Sequence, residues 1–176
     1  MLRSGLDARA WFAAQAARRQ VLAPLVVLVP AICLAGLAGL PARSRAADDL
    51  SSQALTTRAW ESLAAGDLEA ALEATAKCRE RFAAEADRQQ AGLEDFLPAD
   101  KGHDAWALND VGTCLFIEGQ VHERAGRAAE ARAAYRRLVD GYGFAQCWDQ
   151  KGWFWKPAQA AADRLEMLEF DATLSK

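Results

Sequence analysis

Six aromatic side chains fall within fourteen residues of this chain: Tyr142, Phe144, Trp148, Trp153, Phe154 and Trp155. Rings at that density can serve three kinds of chemistry. They can close a hydrophobic core, since burying one large ring removes on the order of 150–250 Å² from water. They can anchor a partner protein, for which Trp and Tyr are favoured. They can also stack on sugar rings while Asp149 or Gln150 takes the hydroxyls. Trp148, Trp153 and Trp155 are the candidate anchors or caps, with Asp149 and Lys156 at the rim.

A second constellation is Cys114, Glu118 and His122, spaced by four so that they form one stripe on a helix. The stripe invites a metal site, and competes with an ion pair between Glu118 and His122 beside a core thiol. His103 next to Asp104 reads as a loop residue beside a helix N-cap. Glycoside hydrolysis needs two carboxylates roughly 5 to 9.5 Å apart, and nothing in the spacing of the acidic residues selects two. There is no Ser-His-Asp order, phosphate loop or dinucleotide fingerprint. The expectation is therefore no catalytic residue, no cofactor and no metal. Cys78, Cys114 and Cys147 allow three pairings with one thiol left over, or three buried thiols acting as small apolar groups. No C-x-x-C pair narrows the choice.

The chain has 176 residues, with 21 Lys plus Arg and 24 Asp plus Glu, but the charges are unevenly placed. Residues 1–46 hold six of the basic residues and only one acid, Asp7, which leaves residues 47–176 with a net charge of −8. A surface of that sign opposes a phosphate backbone, so no nucleic-acid partner is expected. The leading segment runs Arg18-Arg19, then an apolar stretch from Val21 to Leu40, then Pro41-Ala42-Arg43-Ser44-Arg45-Ala46-Ala47. A basic region, an apolar core and small residues make a cleavable signal peptide over 1–46, with a mature start near Ala47. Ala17-Arg18-Arg19-Gln20-Val21-Leu22 resembles the twin-arginine export signal. The general secretory route stands beside it, because Ala17 and Ala23 replace the usual flanking residues. Either route places residues 47–176 in the periplasm or elsewhere outside the cytoplasm. Contact with a membrane is expected only through an uncleaved leader.

The elements that must position these residues are helical. Alanine supplies 28 of the 130 residues after position 46, whereas Val and Ile together supply four. Strong helix formers dominate and β-branched residues are scarce, so the fold class is all-α. Leu68, Ala71, Leu72, Thr75, Cys78 and Phe82 recur at helical spacing and predict a helix from about Asp67 into the high eighties. Leu55, Ala59, Trp60 and Leu63 precede it across a Gly66-Asp67 turn, giving a hairpin. A second hairpin pairs a helix over about Asp104–Ala125 with one carrying Ala128, Ala131, Tyr135, Leu138 and Tyr142, across Gly126. Residues 84–103 read as a helix extension and then a surface loop. A final helix carries Ala158, Ala161, Ala162, Leu165 and Leu168, with Pro157 in its first turn.

Both hairpins resemble the tetratricopeptide repeat, a 34-residue helix-turn-helix unit. Gly119, Gly126, Ala131 and Tyr135 match its small, turn, small and aromatic positions. Gly66, Ala71 and Cys78 match in the first copy, while Arg58 and Ala59 depart from it. With the stretches Ala107-Leu108-Asn109-Asp110-Val111 and Tyr142 to Pro157, the chain resembles a family of small exported bacterial tetratricopeptide-type proteins, some labelled beta-glucanase precursors. The resemblance implies two hairpins plus a capping helix over residues 47–176, and no catalytic residues. It also implies a groove for a partner's helix or tail, lined in the second repeat by Phe116, Gln120 and Glu123. The expected function is a non-enzymatic scaffold or adaptor whose partner is another envelope protein or peptide. A glycan-binding or glycan-processing accessory role and self-association are the alternatives.

Overall fold

The structure is a computed structural model that describes residues 50–149 and 152–174. The leader expected over 1–46 lies outside the described residues. The element order is α1 (Ser52–Ala65), α2 (Leu68–Ala91), α3 (Trp106–Arg124), α4 (Ala128–Gly141), β1 (Cys147–Asp149), β2 (Trp153–Trp155) and α5 (Pro157–Leu174). The fold is all-α: two helical hairpins, a short two-stranded ribbon and a final helix.

Local chemistry explains the two tight turns. Ser51 caps α1 by accepting from the Ala54 amide, and Asp67 caps α2 by accepting from the Ala70 amide. Such caps satisfy amides that the first helical turn leaves without partners. Between the helices Gly66 takes a left-handed conformation, φ 81°, and its N–H closes onto the Leu63 carbonyl. Gly126 does the same between α3 and α4 at φ 72°. A side chain would strain either position, which is why glycine ends both first helices.

Asp104 was expected near an N-cap, yet α3 begins at Trp106 with Ala105 as its N-cap and no side-chain cap bond. The missing cap is supplied from α2 instead. Gln89, near the end of that helix, accepts from the Leu108 amide at 2.9 Å. The extension of α2 beyond Phe82 serves a second junction, where Gln90 accepts from the Phe144 amide and Asp87 accepts from the Tyr142 hydroxyl. Three polar residues of one helix thus fix the start of α3 and the exit from α4.

α3 is the central helix, for twelve of its nineteen residues are buried, and it packs against α1, α2, α4 and α5. A helix enclosed all round is the core element of such a fold. Its neighbours approach through small side chains: the buried residues of α2 are Ala71, Ala74, Thr75, Cys78 and Ala86. α5 is different, because its buried residues are confined to Pro157, Ala158 and Ala161. It covers the open side of α4 and leaves its distal half to solvent. Among the described residues, no helix is long and apolar enough to cross a membrane.

Candidate functional site: the aromatic ribbon

The aromatic-rich segment forms a β-ribbon, an element absent from the expected fold. Cys147 faces Trp155, Trp148 faces Phe154 and Asp149 faces Trp153 in antiparallel register. Gly152 permits the reversal at φ 92°, donating its N–H to the Asp149 carbonyl at 2.9 Å. Aromatic rings suit a short ribbon because cross-strand ring pairs stabilise it.

The register sorts the rings onto two faces, since successive strand residues point to opposite sides. On the inner face, the Trp155 ring meets Phe116 edge-on at 5.0 Å between centroids and Trp60 at 6.4 Å. Phe116 in turn touches Trp60 and Tyr135 at 6.4 and 5.7 Å. Four rings from α1, α3, α4 and β2 therefore form one continuous cluster. On the other face Phe154 packs edge-on against Trp148 at 5.1 Å and against His103 at 5.7 Å. Gly102 lies directly beneath Phe154, where an added Cβ would fall 2.4 Å from the ring. Lys156 continues the clamp, its Nζ lying 3.6 Å above the Phe96 ring, which meets Phe144 edge-on. Contacts of this cation-over-ring type are worth about 0.5–1 kcal/mol at the surface. The expected surface loop before α3 is thereby held down from the ribbon side.

Two rings remain largely in solvent: Trp148 is 53% exposed and Trp153 38%. Asp149 is half-buried at the turn end of the ribbon. The ribbon carries Trp148, Asp149, Trp153 and Trp155, with Lys156 directly after it, and their surroundings differ.

Phe116, Gln120 and Glu123 stand differently from the expected open groove. Phe116 is only 6% exposed, enclosed by Trp60, Tyr135 and Trp155. Glu123 is occupied, accepting from the Tyr135 hydroxyl at 2.5 Å and pairing with both Nε and Nη2 of Arg164 from α5. Gln120 is half-buried, and its carbonyl oxygen has no hydrogen-bond partner among the described residues. The ribbon and α5 close this side of the second hairpin, which is the physical reason these residues bind their own chain. Burial and the hydroxyl's bond to Glu123 both push the Tyr135 phenol well above its ordinary range, so it stays protonated and donating.

The Cys114, Glu118 and His122 stripe also resolves into separate bonds. Glu118 pairs across the helix interface with Arg79 of α2 at 3.0 Å, not with His122. The His122 Nδ1 accepts from Arg127 Nε at 2.9 Å. Among the described residues, no three His, Cys, Asp or Glu side chains gather as a metal would require.

A buried polar network with no local mark in the sequence stands behind the ribbon. The Asn109 side chain donates to the Gly102 carbonyl and accepts from the Gln146 amide, and Gln146 donates to the Leu97 carbonyl. Thr113 meets the Cys147 sulfur at 2.9 Å. One helix turn further round, Ser52 of α1 donates to Asp110 at 2.5 Å. Burial raises the Asp110 carboxyl above its ordinary 3.8, and the Ser52 hydroxyl opposes that only in part. A raised carboxyl binds its proton more tightly folded than unfolded. Its contribution is complete below the unfolded value and is lost as pH rises through the folded one. Asp110→Asn keeps an acceptor for Ser52 and removes the buried charge. Urea unfolding should therefore find the variant at least as stable as the parent at pH 7, with its relative advantage shrinking toward pH 4. Equal destabilisation at every pH would contradict this account.

Comparison of the chain with family models, with curated proteins and with solved structures finds no match in any of the three.

Proposed function

We propose that this protein is an exported, non-enzymatic adaptor of the tetratricopeptide-like kind that binds another envelope protein through the exposed tryptophans of its aromatic ribbon. The observation that carries the reading is the division of the ribbon. Trp155 is half-buried against Trp60 and Phe116, whereas Trp148 and Trp153 stay exposed on a scaffold that the core, Gly102 and Lys156 hold in place. Exposed Trp on a fixed backbone suits recognition, because a rigid ring loses little conformational freedom on binding. Asp149 and Lys156 lie beside these rings in the chain, where they supply a polar rim of both signs. Export rests on the leader over residues 1–46, with its basic, apolar and small-residue regions in order.

The test is crosslinking and capture of the chain from its own cells, beside a Trp153→Ala variant shown by circular dichroism to be folded. One protein should be recovered with the parent and lost with the variant. Recovery of the same protein with both would exclude the ribbon as the docking face. Recovery of nothing specific would favour the glycan-binding reading, which titration of Trp fluorescence with soluble glucans then examines.

A further inference from the structure

We propose that Cys78 and Cys114 are a disulfide-forming pair that links α2 to α3 in the exported protein, leaving Cys147 as a buried thiol. The proposal rests on the export reading for its oxidising compartment, and on the fold alone for the choice of partners.

Three observations select this pair from the three that the sequence leaves open. Both sulfurs belong to residues with no exposed surface in the same hydrophobic cluster, one on each of the two helices that share the most extensive interface of the fold. Both are free thiols in the structure, and the Arg79–Glu118 pair at 3.0 Å with the Gln89–Leu108 bond sets an antiparallel register of α2 and α3 that brings Cys78 and Cys114 to the same stretch of the interface. Small side chains also favour the close approach that a bridge needs. A disulfide requires its Cα atoms within about 4.4–6.8 Å, and the buried face of α2 consists of Ala71, Ala74, Thr75, Cys78 and Ala86. Larger side chains on that face would hold the backbones further apart.

Cys147 is committed elsewhere. Its sulfur lies 2.9 Å from the Thr113 hydroxyl and 3.5 Å from the Asn109 carbonyl. Thr113 and Cys114 are neighbours on a helix, so their side chains diverge by about 100°. Cys114 instead meets Thr56 of α1, whose hydroxyl lies 3.5 Å from the sulfur.

The chemistry needs an outside oxidant, a disulfide-bearing oxidoreductase or a small-molecule disulfide of the compartment. One cysteine thiolate attacks the oxidant's disulfide, forming a mixed disulfide and releasing one thiol. The second thiolate then attacks the protein sulfur, forming the Cys78–Cys114 bond and releasing the oxidant's other thiol. Two protein thiols are oxidised and one disulfide is reduced to two thiols. Both protein sulfurs are shielded in the fold, and the neighbouring Cys78 thiol together with burial raises the Cys114 thiol well above the ordinary range. A shielded, protonated thiol is a poor nucleophile. The bond must therefore form before α2 and α3 finish packing, and once enclosed it resists reduction.

The experiment is refolding of the purified full chain from denaturant in a buffer of reduced and oxidised glutathione, followed by alkylation, non-reducing tryptic digestion and mass spectrometry. The expected product joins the peptide holding Cys78 to the peptide holding Cys114, with Cys33 and Cys147 recovered alkylated. Its thermal midpoint should exceed that of the chain refolded fully reduced by roughly 5–15 °C. Refolded native protein with all four thiols free, or a bridge that uses Cys147, would overturn the pairing. Protein recovered from its own cells supplies the separate arm. A pair linked in the refolded chain but reduced in cells would refute the oxidising compartment while leaving the pairing intact.

Discussion

Replacing Gly119 by alanine will destabilise the protein by about 2 kcal/mol or more, although alanine is the better helix former by about 1 kcal/mol. A Cβ on Gly119 would sit 2.2 Å from Cε1 of Tyr135, with Cζ and Cδ1 at 2.5 and 2.6 Å. Those are three atoms of one rigid ring, so no torsion of a flexible tip relieves the contact. The ring has no free direction either, because Tyr135 has no exposed surface, abuts Phe116 and is bonded through its hydroxyl to Glu123. Arg164 holds that carboxylate from the far side, so displacing the ring disturbs the anchor of α5 as well. Overpacking of a closed core costs about 1–3 kcal/mol and sometimes more, and these constraints put this site at the upper end. Gly141 is the control, since it ends α4 with nothing within 4 Å of an added Cβ. Urea unfolding should show Gly141→Ala unchanged or slightly more stable and Gly119→Ala clearly less stable. Shortening the ring in a Gly119→Ala/Tyr135→Leu double variant should recover part of the loss that the two single changes predict when added. Equal stability of Gly119→Ala and the parent would mean that Tyr135 does not pack as described.

This pair also shows what the sequence discloses. Gly119 and Tyr135 are separated by a turn glycine at the spacing of a helical hairpin, and the structure gives the spacing its physical content: a missing side chain on α3 receives a ring from α4. The helices are legible because apolar residues at three- and four-residue intervals have one good solution in an alanine-rich chain. Their boundaries are legible where the cap is local, as at Ser51, Asp67 and Gly66. The start of α3 is not, because Gln89 caps it from nineteen residues away. A long-range bond of that kind leaves no mark on the sequence around Asp104.

The ribbon illustrates a different failure. Its signal was present: Trp148-Asp149 and Trp153-Phe154-Trp155 flank a turn that ends in Gly152, and aromatic residues favour strands. Three-residue strands are too short for alternation to stand out from a merely aromatic run, and the surrounding composition is helical. The lining of the second hairpin differs from its expected open groove for a related reason. Phe116 and Glu123 lie on the helix face expected to line a groove, but Trp155 and Arg164 arrive from distant segments and occupy it. Spacing within α3 fixes which face they share and contains nothing about what returns to cover that face.

The largest consequence of the ribbon's two faces is a contrast between its tryptophans. Trp155→Ala should cost about 2–3 kcal/mol, at the lower end for removing a large ring because Trp155 is half-buried against the core, whereas Trp148→Ala should cost less than about 1 kcal/mol. Trp155 joins β2 to α1 and α3 through Trp60 and Phe116, so its removal opens a void beside a ring that is otherwise 6% exposed. Trp148 is 53% exposed and its ring contact is with Phe154 of the same ribbon, so most of its surface already faces water. The dye anilinonaphthalene sulfonate should therefore bind the Trp155 variant more strongly than the Trp148 variant, because the uncovered Phe116 and Trp60 rings present a new apolar surface. A double-mutant cycle with Phe116→Leu makes the assignment specific, since residues in direct contact couple by about 0.5–3 kcal/mol and distant ones do not. Coupling between Trp155 and Phe116, with none between Trp148 and Phe116, is the result expected of a ribbon that packs Trp155 on the core and displays Trp148. Similar losses from both substitutions would make the whole ribbon a cap, and the docking face would then have to be sought on another element.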